Sequence, residues 1–128
     1  MSRKYFGAGA VFAFIAVAAG AFGAHALGPR IGAEHLATWE TASRYQMYHA
    51  LALLMVAWAM TQWPHTMLFA WAGRLFIAGI VIFSATLYTI ALGGPRWLGA
   101  VTPIGGLCFL AGWACAAIAA LQSQPAPL

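Results

Sequence analysis

Long apolar runs nearly free of Asp, Glu, Lys and Arg dominate this chain, and they leave few folds open. A helix needs about 20 mostly apolar residues to cross the ~30 Å hydrocarbon layer of a bilayer. Stretches of that length fall at approximately residues 6–27, 45–63, 70–92 and 98–121. Breakers separate them: Gly28-Pro29, Pro64 and Gly93-Gly94-Pro95. Only 6% of the side chains are charged and the mean hydropathy is +0.82, whereas soluble domains carry about 25% charged residues. The reading is an all-α integral membrane protein, a four-transmembrane-helix bundle with a short amphipathic segment between helices one and two. It forms a single membrane domain over 1–128, with 122–128 read as a disordered tail.

The first run has a competing reading. Arg3-Lys4, an apolar core and Ala24-His25-Ala26 resemble a secretory signal with its cleavage site. The run is longer than a usual signal core of about 7–15 residues, and it carries small residues at a packing period. It is therefore read as retained. From Ala33 through Trp63 there is no Gly or Pro, so a single helix of about 46 Å is allowed at 1.5 Å per residue. Its first part, AEHLATWETASR, mixes apolar and charged residues and is read as interfacial, leading into the second span. Glu40 and Arg44 stand four apart in the order that favours a helical ion pair.

Small residues recur every four positions: Ala16, Gly20 and Ala24 in the first span, and Cys108, Gly112, Ala116 and Ala120 in the last. In lipid such rows let helix backbones approach closely, within one bundle or between protomers. Cys108 and Cys115 lie about 10.5 Å apart along a helix, too far to pair with each other. Trp63, Trp71 and Trp97 mark span ends, as an aromatic belt does. Arg3, Lys4 and Arg74 flank one side and Arg30, Arg44 and Arg96 the other. Weighting the first helix places both termini on the cytoplasmic side of the cell's inner membrane. The scattered basic residues form no stripe, which gives nucleic-acid binding no support.

The chemistry concentrates in RYQMYHALALL, residues 44–54, where polar side chains run straight into an apolar span. With alternating spans, His25, Glu40, Arg44, Tyr45, Gln46, Tyr48 and His49 gather on one membrane side, with His65 opposite. His25 and His49 then face each other just below the headgroups. Ionisable groups at that depth raise a functional question by default. The preferred reading is a structural clasp, with imidazoles bonded to neighbouring helices. Two others stay open: a metal or haem site with His25 and His49 as ligands, and an ion or proton path entering at this polar mouth. No metal-binding spacing such as HExxH or CxxC is present. Arg74 is read as snorkelling from the first turn of its span. Ser84 and Tyr88 are read as bonding within their helix or across to a neighbour. Thr102-Pro103 with Gly105-Gly106 should loosen the start of the fourth span. No nucleophile with a partnered base, phosphate loop or acid pair is visible, so hydrolytic or transfer chemistry has no support in the sequence and the balance leans away from an enzyme.

GAFGAHAL (20–27), TASRYQMYHALALL (41–54), FSATLYTIALGGPRWLGAVTPIGG (83–106) and FLAGW (109–113) together resemble the YgdD/YwdK-like inner-membrane proteins. That family of unknown function also has small transmembrane relatives in animals. The resemblance runs through nearly the whole chain, departing where members often read FSGSLY and this chain has FSATLY. It implies four helices and an uncleaved first span. It carries His25, Tyr45, Gln46, Tyr48, His49, Arg96, Trp97, Thr102, Pro103 and Gly105 as motif positions, and it implies no activity, substrate or cofactor. The combined expectation is a structural or accessory multi-pass protein without a cofactor. Its partners are the lipid bilayer and either further copies of itself or another membrane protein. A transporter or channel, and a redox protein holding metal or haem, are the alternatives.

Overall fold

The computed structural model describes residues 1–124. Residues 125–128, most of the expected disordered tail, lie outside the described residues. The start of that tail is ordered: Gln122 closes the last helix, and the Ser123 hydroxyl meets that of Thr66 at 2.7 Å.

Among the described residues the chain is helical, with non-helical turns at 63–66 and 92–97 and without strands. α1 covers Ser2–Phe22, α2 Gly28–Gln62, α3 Met67–Gly79, α4 Ala85–Ala91 and α5 Leu98–Gln122. A wide π turn, Gly23–Leu27, joins α1 to α2, and a second, Ile80–Ser84, joins α3 to α4. Three runs are thus long and apolar enough to cross a membrane: Ser2–Gln62, Met67–Ala91 and Leu98–Gln122.

The first run, 61 residues long, is folded back on itself. Gly32 has φ 80° and ψ 167°, a conformation a side chain would oppose, and this residue reverses the chain. The expected break at Gly28-Pro29 lies within helix instead. Pro29 lacks an N–H, but it follows a wide turn where the Gly28 N–H already reaches back to the Gly23 carbonyl. The ladder is shifted there in any case. Beyond Gly32, residues 33–62 form one uninterrupted arm antiparallel to α1. The segment expected to lie in the interface is therefore part of this hairpin, and it buries Trp39, Ala42 and Ser43.

The buried rows follow a 3.5-residue period rather than a strict four: Tyr5, Gly9 and Ala16 on α1, continued by Gly23 in the wide turn, and Thr102, Gly105, Phe109, Gly112, Ala119 on α5. Each four-residue step turns a helix about 40° past a full rotation. Ala16, Gly20 and Gly112 therefore stay at or near a seam, Cys108 and Ala116 are half-buried, and Ala24 and Ala120 have rotated to the exposed side. The main core fills the space between α1, α2, α3 and α5, with Leu53 and Phe76 fully buried. Tyr5 ties α1 to α3 through a 3.1 Å bond to the Ala70 carbonyl. Pro103 lies inside α5 without ending it, and the Thr102 hydroxyl beside it donates to the Leu98 carbonyl at 3.0 Å.

Candidate functional site

Positions 39, 42, 46, 49, 53 and 56 form the inward row of α2. Leu53 and Val56 occupy its lower half, and the upper half carries groups that must find hydrogen-bond partners inside the protein. The Trp39 indole N–H donates to the Ala19 carbonyl at 2.8 Å, and its ring lies 4.6 Å from that of Tyr88. The Ala42 carbonyl accepts the Ser84 hydroxyl at 2.9 Å. Gln46 is 3% exposed and works in two directions. Its Nε2 donates to the Phe12 carbonyl at 2.9 Å, and its Oε1 accepts the Tyr88 hydroxyl at 2.9 Å.

His49, one turn further, faces α5. Its Nδ1 lies 2.8 Å from the Tyr45 carbonyl, and its Nε2 accepts the Trp113 indole N–H at 3.1 Å. An indole N–H can only donate, so Nε2 must be the unprotonated nitrogen and the Nδ1 proton points to Tyr45. The ring stacks on Phe109 at 3.6 Å with Phe76 alongside. A further pair of hydroxyls, Thr86 and Thr102, joins α4 to α5 at 2.7 Å. Among the described residues, no buried side-chain nitrogen or oxygen lacks a partner.

The expected cluster is therefore divided. Gln46 and His49 enter the interior, as do Ser84, Tyr88 and Thr102, while Glu40, Arg44, Tyr45 and Tyr48 are exposed. Arg96 and Trp97 sit exposed in the turn before α5, and Pro103 is exposed on its first turns. Arg74 is exposed too, its guanidinium 4.8 Å over the Trp71 ring.

The pairing of His25 with His49 is not present. The Trp39–Ala19 and Gln46–Phe12 bonds set the register of the hairpin. His25 falls opposite the region of Ala33 and His49 opposite that of Gly9, about 24 Å apart along the axis at 1.5 Å per residue. His25 is exposed near the Gly32 turn, whereas His49 lies midway along the bundle. The two cannot share one metal or one haem in this arrangement. Among the described residues, no three His, Cys, Asp or Glu side chains converge as a metal site. His25→Ala is accordingly expected to change stability by less than about 0.5 kcal/mol. His49→Ala, which leaves a cavity and an orphaned indole N–H, should cost about 3 kcal/mol. Thermal unfolding in detergent should show the two effects summing in the double variant; strong non-additivity would restore a shared network.

Trp39, Phe76, Thr86, Phe109 and Trp113 complete the polar seam and are not singled out by the sequence reading. For Trp39 a signal exists, since it shares the 3.5-residue row of Gln46 and His49. For the α5 aromatics the FLAGW piece of the resemblance holds both Phe109 and Trp113, but nothing local names His49, 64 residues from Trp113, as their partner.

Residues 19–106 match the family described as "Protein of unknown function (DUF423)". A UPF0382 membrane protein of Staphylococcus epidermidis is 45% identical over 114 residues, covering 89% of this chain and 92% of the relative. UPF0382 membrane protein YwdK of Bacillus subtilis is 41% identical over 114 residues, covering 89% and 93%. UPF0382 membrane protein SSP2132 of Staphylococcus saprophyticus is 46% identical over 105 residues, covering 82% and 86%. No solved structure matches the chain. A family match over most of the chain, with relatives aligned over nearly their whole length, makes this protein a member of the DUF423 family of UPF0382 membrane proteins.

Proposed function

We propose that the protein is a four-crossing bundle of the inner membrane, both termini cytoplasmic, that serves as a structural or accessory component without a cofactor. Each arm of the hairpin about Gly32 is about 45 Å long, enough for its own crossing. Arg3 and Lys4 at the start of α1 favour the cytoplasmic side for that end.

The observation that carries the reading is the closed bonding of the seam. Gln46, Ser84, Tyr88, His49 and Trp113 use their polar atoms on one another or on neighbouring backbones. A conduit needs polar groups turned toward a wet path. A cavity of about 690 Å³ lies at one end of the bundle, lined by Gln62–Leu68 and Gln122–Gln124, and it does not include His49. The groove beside Trp39 and Tyr88 does not include His49 either.

Vesicles carrying the purified protein and a proton-sensitive dye test this directly. Leak should match protein-free vesicles; a leak abolished by His49→Phe would replace the structural reading with conduction. Orientation is read on spheroplasts in a chain with Cys108 and Cys115 changed to alanine. An impermeant thiol reagent should label Arg30→Cys and spare Ser2→Cys. The reverse pattern inverts the topology, and equal labelling removes the hairpin crossing.

A further inference from the structure

The outward faces of the helices are chemically unlike one another. α1 presents Phe6, Val11, Phe14 and Val17, and α5 presents Ile104, Leu107, Leu110 and Leu121 with Trp113 among them. α3 turns Met67, Trp71 and Arg74 outward, and none of these three helices carries an acid. α2 presents Glu40, Arg44, Tyr48, Leu51, Met55 and Trp58 along one exposed stripe. Tyr48 is 51% exposed and Trp58 57%. Arg, Tyr, Trp and Met are the residues enriched in protein interfaces and their hot spots.

The depth of Arg44 sharpens the contrast. The Ser84–Ala42 bond places Ala42 seven residues from the Ala91 end of its helix. Arg44, two residues deeper, lies about 13 Å from that end at 1.5 Å per residue. The rod Met67–Ala91 is about 37 Å long, so a ~30 Å hydrocarbon layer centred on it leaves the Arg44 Cα about 10 Å inside. A charge there facing acyl chains is costly. It would be relieved by an acid on a facing surface within reach of the Arg44 side chain.

We propose that this face of α2 receives a second copy of the chain, related by a two-fold axis along the membrane normal, with Arg44 of each copy bonded to Glu40 of the other. The inference rests on the membrane-crossing reading of α2. An interface between identical surfaces must be self-complementary, and this stripe carries one base and one acid a single turn apart. A long Arg44 side chain extends naturally toward the headgroups, and Glu40 lies in that direction. Tyr48, Leu51, Met55 and Trp58 then continue the contact down the helix as an apolar and aromatic seam.

The test uses full-length protein in native membranes, lacking Cys108 and Cys115. Leu51→Cys should form a disulfide-linked dimer on mild oxidation, and Phe14→Cys on the outer face of α1 should not. Glu40→Arg alone and Arg44→Glu alone should each lower the Leu51→Cys dimer yield about tenfold, within the range of coupled charge pairs. Co-expressing the two single swaps with different tags should restore the mixed dimer, since the stripe of one chain then carries two bases and that of the other two acids. Pairing of the two charges within one helix cannot produce that rescue. Absence of self-linkage, linkage indifferent to both swaps, linkage to a different polypeptide, or failure of the mixed rescue would each overturn the proposal. If the thiol-labelling pattern of Arg30→Cys and Ser2→Cys persists in that case, the crossing reading survives and only the dimer falls.

Discussion

Gly105→Ala is expected to destabilise the protein by about 3 kcal/mol, the upper end for overpacking a tight interior, while Gly106→Ala should be neutral or stabilising. A Cβ on Gly105 would lie 2.5 Å from the Phe83 backbone nitrogen and 2.8 Å from its Cβ. The obstacle is main chain and cannot rotate away. It lies within the wide turn Ile80–Ser84, so relief would require moving the turn that directs Ser84 at Ala42. Gly106, by contrast, has nothing within 4 Å of the same built atom. Alanine there improves helix propensity by about 0.5–1 kcal/mol. Denaturant or thermal unfolding of the two variants in one detergent separates the outcomes, and equal shifts would mean that α5 does not seat on Phe83 through Gly105.

The second large effect is at Gln46. Gln46→Ala removes the bonds to Phe12 and Tyr88 together and opens a cavity, for an expected loss of about 2–3 kcal/mol. Tyr88→Phe alone should cost about 1 kcal/mol, because the Gln46 oxygen then has no donor. In the double variant the Tyr88 term should vanish, leaving a coupling of about 1 kcal/mol. Ser84→Ala serves as the comparison. Its acceptor is the Ala42 carbonyl, so it should add independently to Gln46→Ala. A fully additive Gln46/Tyr88 cycle would show that the observed bond contributes nothing net.

The helical runs are legible because few other solutions bury such apolar lengths. Pro64 and Gly93-Gly94-Pro95 mark real turns for the same reason that breakers usually do. The first turn is not legible. Gly28-Pro29 is the stronger local signal, yet the wide turn before it absorbs the missing N–H, and the solitary Gly32 reverses the chain. That displacement has consequences for every polar residue downstream. It makes residues 33–44 part of the hairpin, and it sets His49 near the middle of the bundle. It also separates His49 from His25.

Within the seam, Gln46 and His49 stand out in the sequence as unusual, and Ser84 and Tyr88 do reach across to α2. Their partners cannot be named from the sequence, because Trp113, Phe109 and the Phe12 carbonyl are brought near only by tertiary register. The small-residue rows fail at Ala24 and Ala120, where counting by four ignores the rotation that accumulates along a helix.

The hairpin about Gly32 also bears on how the molecule is made. Helices next to each other in sequence are those most closely packed, α1 with α2 and the Met67–Ala91 rod with α5, so each pair can form as a unit. Contacts of this local kind assemble quickly. The first pair, however, arrives incomplete: the Gln46 oxygen waits for Tyr88, the Ala42 carbonyl for Ser84, and the His49 nitrogen for Trp113. Until the second pair has been made these groups lack the partners they have in the finished fold. Synthesis order thus decides when the interior becomes saturated, and the last bond of the seam closes only once the chain has been made past Trp113.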